Sequence, residues 1–369
     1  MDNKYTLDDG SYGRWIETNG QRYLEIKATD HYHLGLIEGH FLRHKIRFFK
    51  FIIFLMLIPF FLRRGFTYQK FLKIARAHEQ AFPPERKNEY KLLREEITGI
   101  SDAIPDISYD DVILQNTYIE LVYGTLIPIV REFPSEFEMG CTAFAALNKN
   151  ANPKIVMGQN FDLSQMFQPT ASFVHHEVDG QPSVFSLRFG GMLSLPAGFN
   201  EHGVRLNVNI VKSKITSQPI IPTGMRTRMG YYLCKTADDV YDLLDETKDA
   251  ICYNLTVGDS EKAFTLEINP YGMPKDPLET TLVRSNTFVS QDLQKYLLRK
   301  NYSKRRQAHA EDLIQSAYEE NERITEQQLL EILSDRPTIS RTKTIAFITN
   351  EHFGVGKPHK GKYGKVPEL

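Results

Sequence analysis

The 369-residue sequence has few cysteines, and they are far apart: Cys141, Cys234 and Cys252. An odd set of three with no ligand-like spacing forms neither a disulfide framework nor a zinc site. We therefore expect a reducing, cytoplasmic location. The sequence also lacks a G-x-G-x-x-G loop and a phosphate-binding loop, which disfavours nucleotide enzymes of those two types.

An excess of charge of one sign is also absent. The formal net charge is −1, although 25% of the residues are charged, so bulk attraction to nucleic acid is not expected. The best basic patch that contains an aromatic residue spans residues 299–306. A solvated helix start explains this patch better than a nucleic-acid site does, and we expect no nucleic-acid partner.

Long apolar runs are missing too. Residues 1–30 are polar and show no signal-peptide pattern. The one apolar block, residues 48–62, is shorter than the roughly 20 residues that span a bilayer, and it contains Lys50 and Pro59. All its flanking charges are basic. We expect a helix that is buried, lies on a membrane surface or lines an apolar substrate channel, with a slight preference for the last two.

Helical periodicity dominates the first 140 residues. A hairpin predicted over residues 13–29 precedes a helix that starts near His31 and enters the apolar block. Further helical patterns cover residues 68–98, with a break at Pro83-Pro84, and residues 109–129. We therefore interpret residues 1–140 as a mostly helical pro-segment or small subunit. It is expected to form one compact unit with a catalytic segment, residues 141–369.

Histidines cluster at the start of the first long helix, and a metal site is one hypothesis for them. The candidate ligands are His31, His33, Glu38, His40 and His44. Surface or capping histidines explain the cluster without convergent geometry, so we expect no metal and no bound cofactor.

After Gly140 the sequence pattern changes to strand hairpins. Two helices, one near residues 224–234 and one capped by Thr236, separate early strands from later ones, and helices near 304–320 and 325–334 precede the last strand. The predicted strands are residues 141–147, 155–159, 172–178, 183–189, 204–210, 251–257, 262–268, 280–285 and 342–348. This order favours an α+β fold with two antiparallel sheets covered by helices on their outer faces.

Gly140-Cys141 is the stretch with the clearest chemistry. If the chain is cut before Cys141, the thiol becomes the nucleophile, and the freed α-amine, with an ordinary pKa of about 7.7–8.0, can accept the thiol proton near neutral pH. A cysteine at the head of a strand is also explained as a small buried hydrophobic residue.

Several motifs together resemble the acyl-coenzyme A:isopenicillin N acyltransferase family. This is a family of N-terminal-nucleophile amidohydrolases related to choloylglycine hydrolases and acid ceramidase. The motifs occur in the family's order at residues 33–40, 140–142, 158–162, 198–209, 266–270 and 284–288. The resemblance implies a four-layer αββα sandwich and autocatalytic cleavage of a zymogen between Gly140 and Cys141.

The resemblance also implies roles for individual residues. Cys141 would be the nucleophile, Asp162 would orient or polarise its amino group and thiol, and Asn209 and Asn286 would donate hydrogen bonds to the developing oxyanion. Arg228, in a helix that carries an arginine in the family, would be either structural or a tentative contact for a substrate carboxylate. Gln159 replaces an arginine of the bile-salt hydrolases and ceramidases, which favours the acyltransferase branch.

Alternatives remain for these residues. Asp162 could simply close a turn through its side chain. Asn207 shares a strand face with Asn209, and spacing from Asn200 favours Asn209. Asn286 lacks the flanking histidine that is usual in the family.

We therefore expect a self-processing cysteine hydrolase or acyltransferase that acts on a linear, non-peptide amide through a thioester on Cys141. A small amide or acyl compound is the expected substrate, and acyl-coenzyme A is a candidate acyl donor. The alternative is an uncleaved, non-enzymatic homologue that binds a membrane surface through residues 48–62.

Overall fold

The structure is a computed structural model. It describes residues 4–18, 21–130, 140–162, 166–195, 197–216, 219–246, 251–298, 301–335, 338–339, 344–349, 353–357 and 362–365.

The chain begins with an antiparallel meander and continues into a long helix. The meander consists of β1 (Lys4–Thr6), β2 (Tyr12–Thr18) and β3 (Gln21–Ala28). Helix α1 (His31–Arg64) begins at Asp30, whose carboxylate accepts from the His33 amide at 2.9 Å. It ends at Gly65, which adopts the left-handed conformation with φ 63°. The predicted hairpin and helix are both present, and residues 19–20, where the sequence Asn-Gly favours the hairpin turn, lie outside the described residues.

More helices follow before Gly140. They are α2 (Tyr68–Glu79), a 3₁₀ helix (Pro84–Arg86), α3 (Lys87–Asp102), α4 (Tyr109–Asn116), a π-helix (Glu120–Leu126) and α5 (Ile127–Val130). Helices α1 and α3 pack closely because two glycines face each other. A Cβ on Gly35 would lie 2.1 Å from the Glu96 carbonyl oxygen, and one on Gly99 would lie 2.1 Å from the Tyr32 carbonyl oxygen. This contact explains Gly35 in the upstream motif at residues 33–40.

Strands and helices alternate in groups from Gly140 onward. The strands are β4 (Gly140–Leu147), β5 (Ile155–Asp162), β6 (Ala171–Val178), β7 (Val184–Phe189), β8 (Ala197–Asn200), β9 (Arg205–Ile210), β10 (Tyr253–Gly258), β11 (Ala263–Ile268), β12 (Lys275–Pro277), β13 (Thr281–Arg284), β14 (Thr344–Thr349), β15 (Phe353–Lys357) and β16 (Lys362–Lys365). The helices are a 3₁₀ turn (Gln168–Thr170), α6 (Thr223–Leu233), α7 (Ala237–Glu246), α8 (Gln291–Gln294), α9 (Asn301–Asn321) and α10 (Glu326–Ser334).

These strands form two sheets. The larger has ten strands in the order β1-β2-β3-β6-β7-β8-β9-β10-β11-β12, and the smaller has six in the order β13-β4-β5-β14-β15-β16. All described pairings are antiparallel except that of β3 with β6, which aligns Leu24 with Val174. The prediction of purely antiparallel sheets is therefore wrong at this position. Here the segment before Gly140 adds its own strands to the larger sheet.

The layers follow the order helix, sheet, sheet, helix. Helices α9 and α10 pack on the outer face of the smaller sheet, where Phe144, Val156 and Ile314 form a core. Between the sheets, Ala145 and Met157 meet Ala263. Helices α1, α6 and α7 contact strands of the larger sheet from its other face. The predicted α+β fold with αββα layering is confirmed.

Candidate active site

Cys141 lies between the two sheets. It is the second residue of β4 and shares strand parity with Ala145, which faces the larger sheet. Its side chain is 1% exposed. Burial raises the pKa of the thiol to about 12; the positive charge of Arg306 opposes this rise, while the charge of Asp162 adds to it. The buried thiol is therefore neutral at physiological pH unless a nearby base takes its proton.

Asn286 contacts the backbone of Cys141 directly. The Cys141 amide donates to Asn286 Oδ1 at 2.7 Å, and Asn286 Nδ2 donates to the carbonyl oxygen of Ile210 at 2.8 Å. Asn286 follows β13 in a loop and is partly exposed. The side chain thus bridges Cys141 on the smaller sheet and the end of β9 on the larger one.

Arg306 completes the surroundings of Cys141. Its Nη2 atom donates to the Cys141 carbonyl oxygen at 3.1 Å and also to Asn286 Oδ1. The side chain is 1% exposed, although residue 305 next to it is exposed. The interpretation of residues 299–306 as a solvated helix start is therefore wrong for Arg306, because helix α9 turns this residue toward the smaller sheet. Its helical spacing from the buried residues Ala310 and Ile314 was the available signal.

Asp162 and Gly140 are opposite each other in the β4–β5 ladder. A Cβ on Gly140 would lie 3.1 Å from Asp162 Oδ2 and 2.8 Å from Arg306 Nη1. The residue before Cys141 is therefore enclosed by a carboxylate and a guanidinium, and a side chain there would displace one of them. Asp162 is 5% exposed and lies at the end of its strand.

Asn209 lies on the inner face of β9. Arg205, on the same face, donates to the Ile155 carbonyl oxygen of the other sheet at 2.8 Å, which shows that this face points between the sheets. Neither side-chain polar atom of Asn207 or Asn209 has a hydrogen-bond partner among the described residues, and both side chains are fully buried. Asn209 precedes Ile210, the residue that holds Asn286, so it lies nearer to Cys141 along the strand.

Gln159 links the two sheets. Its Nε2 atom donates to the Val208 carbonyl oxygen on β9. Gln159 is therefore fully buried and is an inter-sheet contact.

Arg228 lies in a different cluster of buried charges. Its Nη2 atom is 2.7 Å from Glu96 Oε1, and Arg188 lies 3.4 Å from Glu38 and 3.6 Å from Glu96. All four side chains have no exposed surface. Burial raises the pKa of Glu38 to about 7, whereas the pKa of Glu96 is lowered to about 2, because the two guanidinium groups and His31 outweigh its burial. The contacts favour the structural alternative for Arg228.

The histidines of α1 point to separate partners. His31 is 3.3 Å from Glu96, His33 contacts Asp30 at 3.0 Å, and His40 stacks on Tyr5 with ring centroids 3.9 Å apart. Within the part of the chain that the structure describes, no group of three His, Cys, Asp or Glu side chains could hold a metal ion.

The comparison with known families matches residues 147–352 to the family "Acyl-coenzyme A:6-aminopenicillanic acid acyl-transferase". The match covers more than half of the chain. The chain belongs to this family. The resemblance inferred from the motifs is thereby confirmed. Asp162, Asn209, Asn286 and Arg306 lie inside the region that matches the acyltransferase family, and Cys141 lies just before it.

Three proteins that are similar to this acyltransferase-family chain share low sequence identity with it. An uncharacterized protein of Archaeoglobus fulgidus is 24% identical over 200 residues, which is 53% of this chain and 31% of that protein. The match thus spans about a third of the relative's own length. Among solved structures, an N-acylethanolamine-hydrolyzing acid amidase ortholog of Caenorhabditis elegans aligns with a TM-score of 0.45 and 18% identity, over 56% of this chain and 92% of its own. A variant of the conjugated bile acid hydrolase of Clostridium perfringens aligns with a TM-score of 0.35 and 10% identity, over 62% of this chain and 84% of its own.

Proposed function

We propose that the chain is a self-processing cysteine amidase or acyltransferase that acts on a linear, non-peptide amide through a thioester on Cys141. The observation that supports this most is the set of contacts around Cys141. Its backbone N–H donates a hydrogen bond to Asn286, its carbonyl oxygen accepts one from Arg306, and a glycine precedes it. The thiol, the nitrogen that cleavage would free and a guanidinium therefore lie together.

Self-processing uses the thiol against the preceding peptide bond. Cys141 Sγ adds to the carbonyl carbon of Gly140, the bond to the Cys141 nitrogen breaks, and that nitrogen takes the thiol proton. Water then hydrolyses the thioester, which leaves a carboxylate on Gly140 and a free amine and thiol on Cys141. The enclosure of Gly140 by Asp162 and Arg306 favours this step, because it restricts where the reacting carbonyl can lie.

Turnover repeats this chemistry on a substrate amide. The free α-amine of Cys141 takes the thiol proton as Sγ attacks the acyl carbon, and it passes that proton to the departing amine. Asn286 Oδ1 orients the α-amine of Cys141. Asp162 lies across the β4–β5 ladder from Gly140, the residue before Cys141. Water resolves the thioester in hydrolysis, and a second amine resolves it in acyl transfer. An acyl-coenzyme A donor would load the same sulfur by thioester exchange.

Asn209 is the stronger candidate for the oxyanion donor. Its amide is buried and has no partner among the described side chains, so its N–H groups are available to a developing negative charge. Asn286 retains one N–H beyond the one given to Ile210. Removing one such donor typically costs about 10²- to 10³-fold in rate.

Intact mass measurement tests the proposal. Purified wild-type protein should separate into fragments 1–140 and 141–369, and Cys141→Ala should stay one chain. After acid quench of a reaction with an acyl amide, the thioester should map to Cys141, and Cys234→Ser should still form it. An intact wild-type chain under conditions that support turnover, or an adduct on another cysteine, would overturn the proposal.

A second candidate function, contact with a membrane surface, is favoured by the exposed face of α1. Phe48, Phe51 and Phe54 are 37%, 53% and 48% exposed, and they repeat every third residue along one side of the helix. Beside them is a cavity of about 570 Å³, largely apolar, whose lining includes Arg47 and Lys50 together with their ion-pair partners Asp106 and Asp111. No helix among the described residues is long and apolar enough to cross a membrane.

Flotation with anionic liposomes tests this contact. Wild-type protein should float at low salt, and Phe51→Ser with Phe54→Ser should reduce the bound fraction because apolar area is lost. Ile129→Ser, an exposed apolar residue outside α1, serves as a control. Equal flotation of the double variant and wild type would count against a membrane role for residues 48–62.

A further inference from the structure

The loop that carries Asn286 is held by hydrogen bonds to the residues before and after Asn286. Asn254, on β10, donates from Nδ2 to the Ser285 carbonyl oxygen at 2.8 Å and to the Thr287 carbonyl oxygen at 2.7 Å. Asn254 has no exposed surface, and Ser285 and Thr287 are also buried. One side-chain amide thus bonds the residues before and after Asn286.

Helix α9 holds the same loop from the opposite side. The Ser285 amide donates to Gln307 Oε1 at 3.2 Å, and the Ser285 hydroxyl donates to the Ser303 carbonyl oxygen at 2.9 Å. Gln307 follows Arg306, which donates to Asn286 itself. The loop is therefore held between the larger sheet and the outer helix.

The register of the larger sheet places this support beside the site. Asn254 is directly opposite Asn209 in the β9–β10 ladder, so the two side chains lie on the same inner face. The Asn286 side chain in turn reaches Ile210, the residue after Asn209. Asn254 and Asn209 are therefore neighbours beside the loop whose Asn286 side chain contacts the backbone nitrogen of Cys141.

We propose that Asn254 is a positioning residue that holds Asn286 at hydrogen-bonding distance from the Cys141 nitrogen. None of the described strand pairings includes Asn286, so the path of the loop after β13 depends on side-chain support. Without the Asn254 amide, two buried carbonyl oxygens lose their donors, and the loop must move to reach others. A displacement of about 1 Å at a reacting group can cost about 10²-fold in rate.

The alternative is that Asn254 only stabilises the fold. Asn200 offers a matched control, because it is also a buried asparagine of the larger sheet whose Nδ2 donates to two carbonyl oxygens, those of Tyr231 and Cys234. Those bonds hold α6 instead of the loop with Asn286. A structural role predicts equal consequences for both residues, whereas a positioning role does not.

The test compares Asn254→Leu with Asn200→Leu in the processed enzyme, and it rests on the proposed function of Cys141. We expect Asn254→Leu to lower the rate of thioester formation by about 10²-fold, with little change in KM. Asn200→Leu, compared at an equal loss of melting temperature, should keep the wild-type rate. A wild-type rate in Asn254→Leu, or an equal fall in both variants, would overturn the proposal.

Hydrogen–deuterium exchange gives a readout without turnover. In the full-length Cys141→Ala chain, adding Asn254→Leu should speed exchange in peptides that cover residues 284–288, and Asn200→Leu should leave them unchanged. If the wild type forms no thioester while this exchange pattern appears, the proposed function fails and the placement of Asn286 by Asn254 stands. Unchanged exchange in the Asn254 variant would overturn the placement itself.

Discussion

The Oδ1 atom of Asn286 lies 2.7 Å from the backbone nitrogen of Cys141, which joins two residues 145 positions apart in the chain. Arg306 donates to the same oxygen. Because both neighbours are donors, the Asn286 side chain must turn its carbonyl toward Cys141 and its amino group toward Ile210. In the proposed enzyme, Asn286 therefore orients the amine of Cys141 as well as contributing to the oxyanion site.

Gly140→Ala should slow self-cleavage about tenfold or more, which corresponds to about 1.4 kcal/mol in activation free energy. The added methyl group would lie 2.8 Å from Arg306 Nη1 and 3.1 Å from Asp162 Oδ2, so one of these groups must move. A time course of fragment formation on a denaturing gel measures the rate. Gly272→Ala is the control, since a Cβ there meets no atom of the described residues within 4 Å. Equal cleavage rates in the two variants would contradict the role of this enclosure.

Arg306→Gln should lower the rate of thioester formation by about 10²-fold or more, as expected when a charged donor is removed from a reacting centre. Its guanidinium opposes the rise in the Cys141 pKa that burial causes. The pH at which iodoacetamide alkylates Cys141 should therefore move upward in the variant. Arg305→Gln, at the exposed neighbouring position, should behave as wild type. An unshifted alkylation profile in Arg306→Gln would contradict this electrostatic role.

Asn209→Ala should reduce kcat by about 10²-fold with the fold retained, because it removes a buried donor next to the residue that holds Asn286. Asn207→Ala should have a smaller effect, since Asn207 lies two residues farther from Ile210 on β9 than Asn209 does. Steady-state kinetics of both variants, with circular dichroism as a check on folding, separates them. A larger loss in Asn207→Ala would assign the donor to Asn207.

Glu38→Gln should change how stability depends on pH. The folded-state pKa of Glu38 is raised to about 7 from its ordinary value of 4.5, so its contribution to stability is complete below pH 4.5 and lost as pH rises through 7. Relative to wild type, the variant should therefore gain up to about 3 kcal/mol between pH 5 and pH 8. Urea denaturation at several pH values measures this.

Two conditions make that experiment specific. Work above pH 5 avoids the titration of Glu96, whose pKa is lowered to about 2 and whose contribution is lost only as pH falls toward that value. Glu177→Gln on β6, outside the buried cluster, should keep the wild-type slope. If Glu38→Gln also keeps that slope, Glu38 does not titrate as described.

Arg228→Met should destabilise the protein by about 3–5 kcal/mol, because it leaves Glu96 buried without its nearest cation. Chemical denaturation of the Cys141→Ala background measures the loss without interference from cleavage. Should stability be retained while KM rises, Arg228 would instead contact the substrate. Lys275→Met, whose ammonium makes a more exposed ion pair with Asp238, should cost about 1 kcal/mol or less.

Local patterns predicted most secondary structure after Gly140. The capping box of Thr325 and Gln328 is present at the start of α10, and Thr236 caps α7 through the Asp239 amide. These signals are local, because capping and strand alternation depend on residues a few positions apart. The short strands β8 and β12 and the last two strands, β15 and β16, were not predicted, since they are brief or carry little alternation.

The sequence alone predicted most of the order of elements, the family and Gly140-Cys141 as the candidate processing site, since each depends on short contiguous motifs. Only the tertiary structure decided which distant residues surround Cys141. It brought Arg306 in from a stretch that resembles a solvated helix start, placed Arg228 against Glu96, and paired β3 with β6. The physical reason is that a charged side chain has the same local pattern whether it meets water or a buried partner. Its partner is set by packing across the chain, which short-range periodicity does not contain.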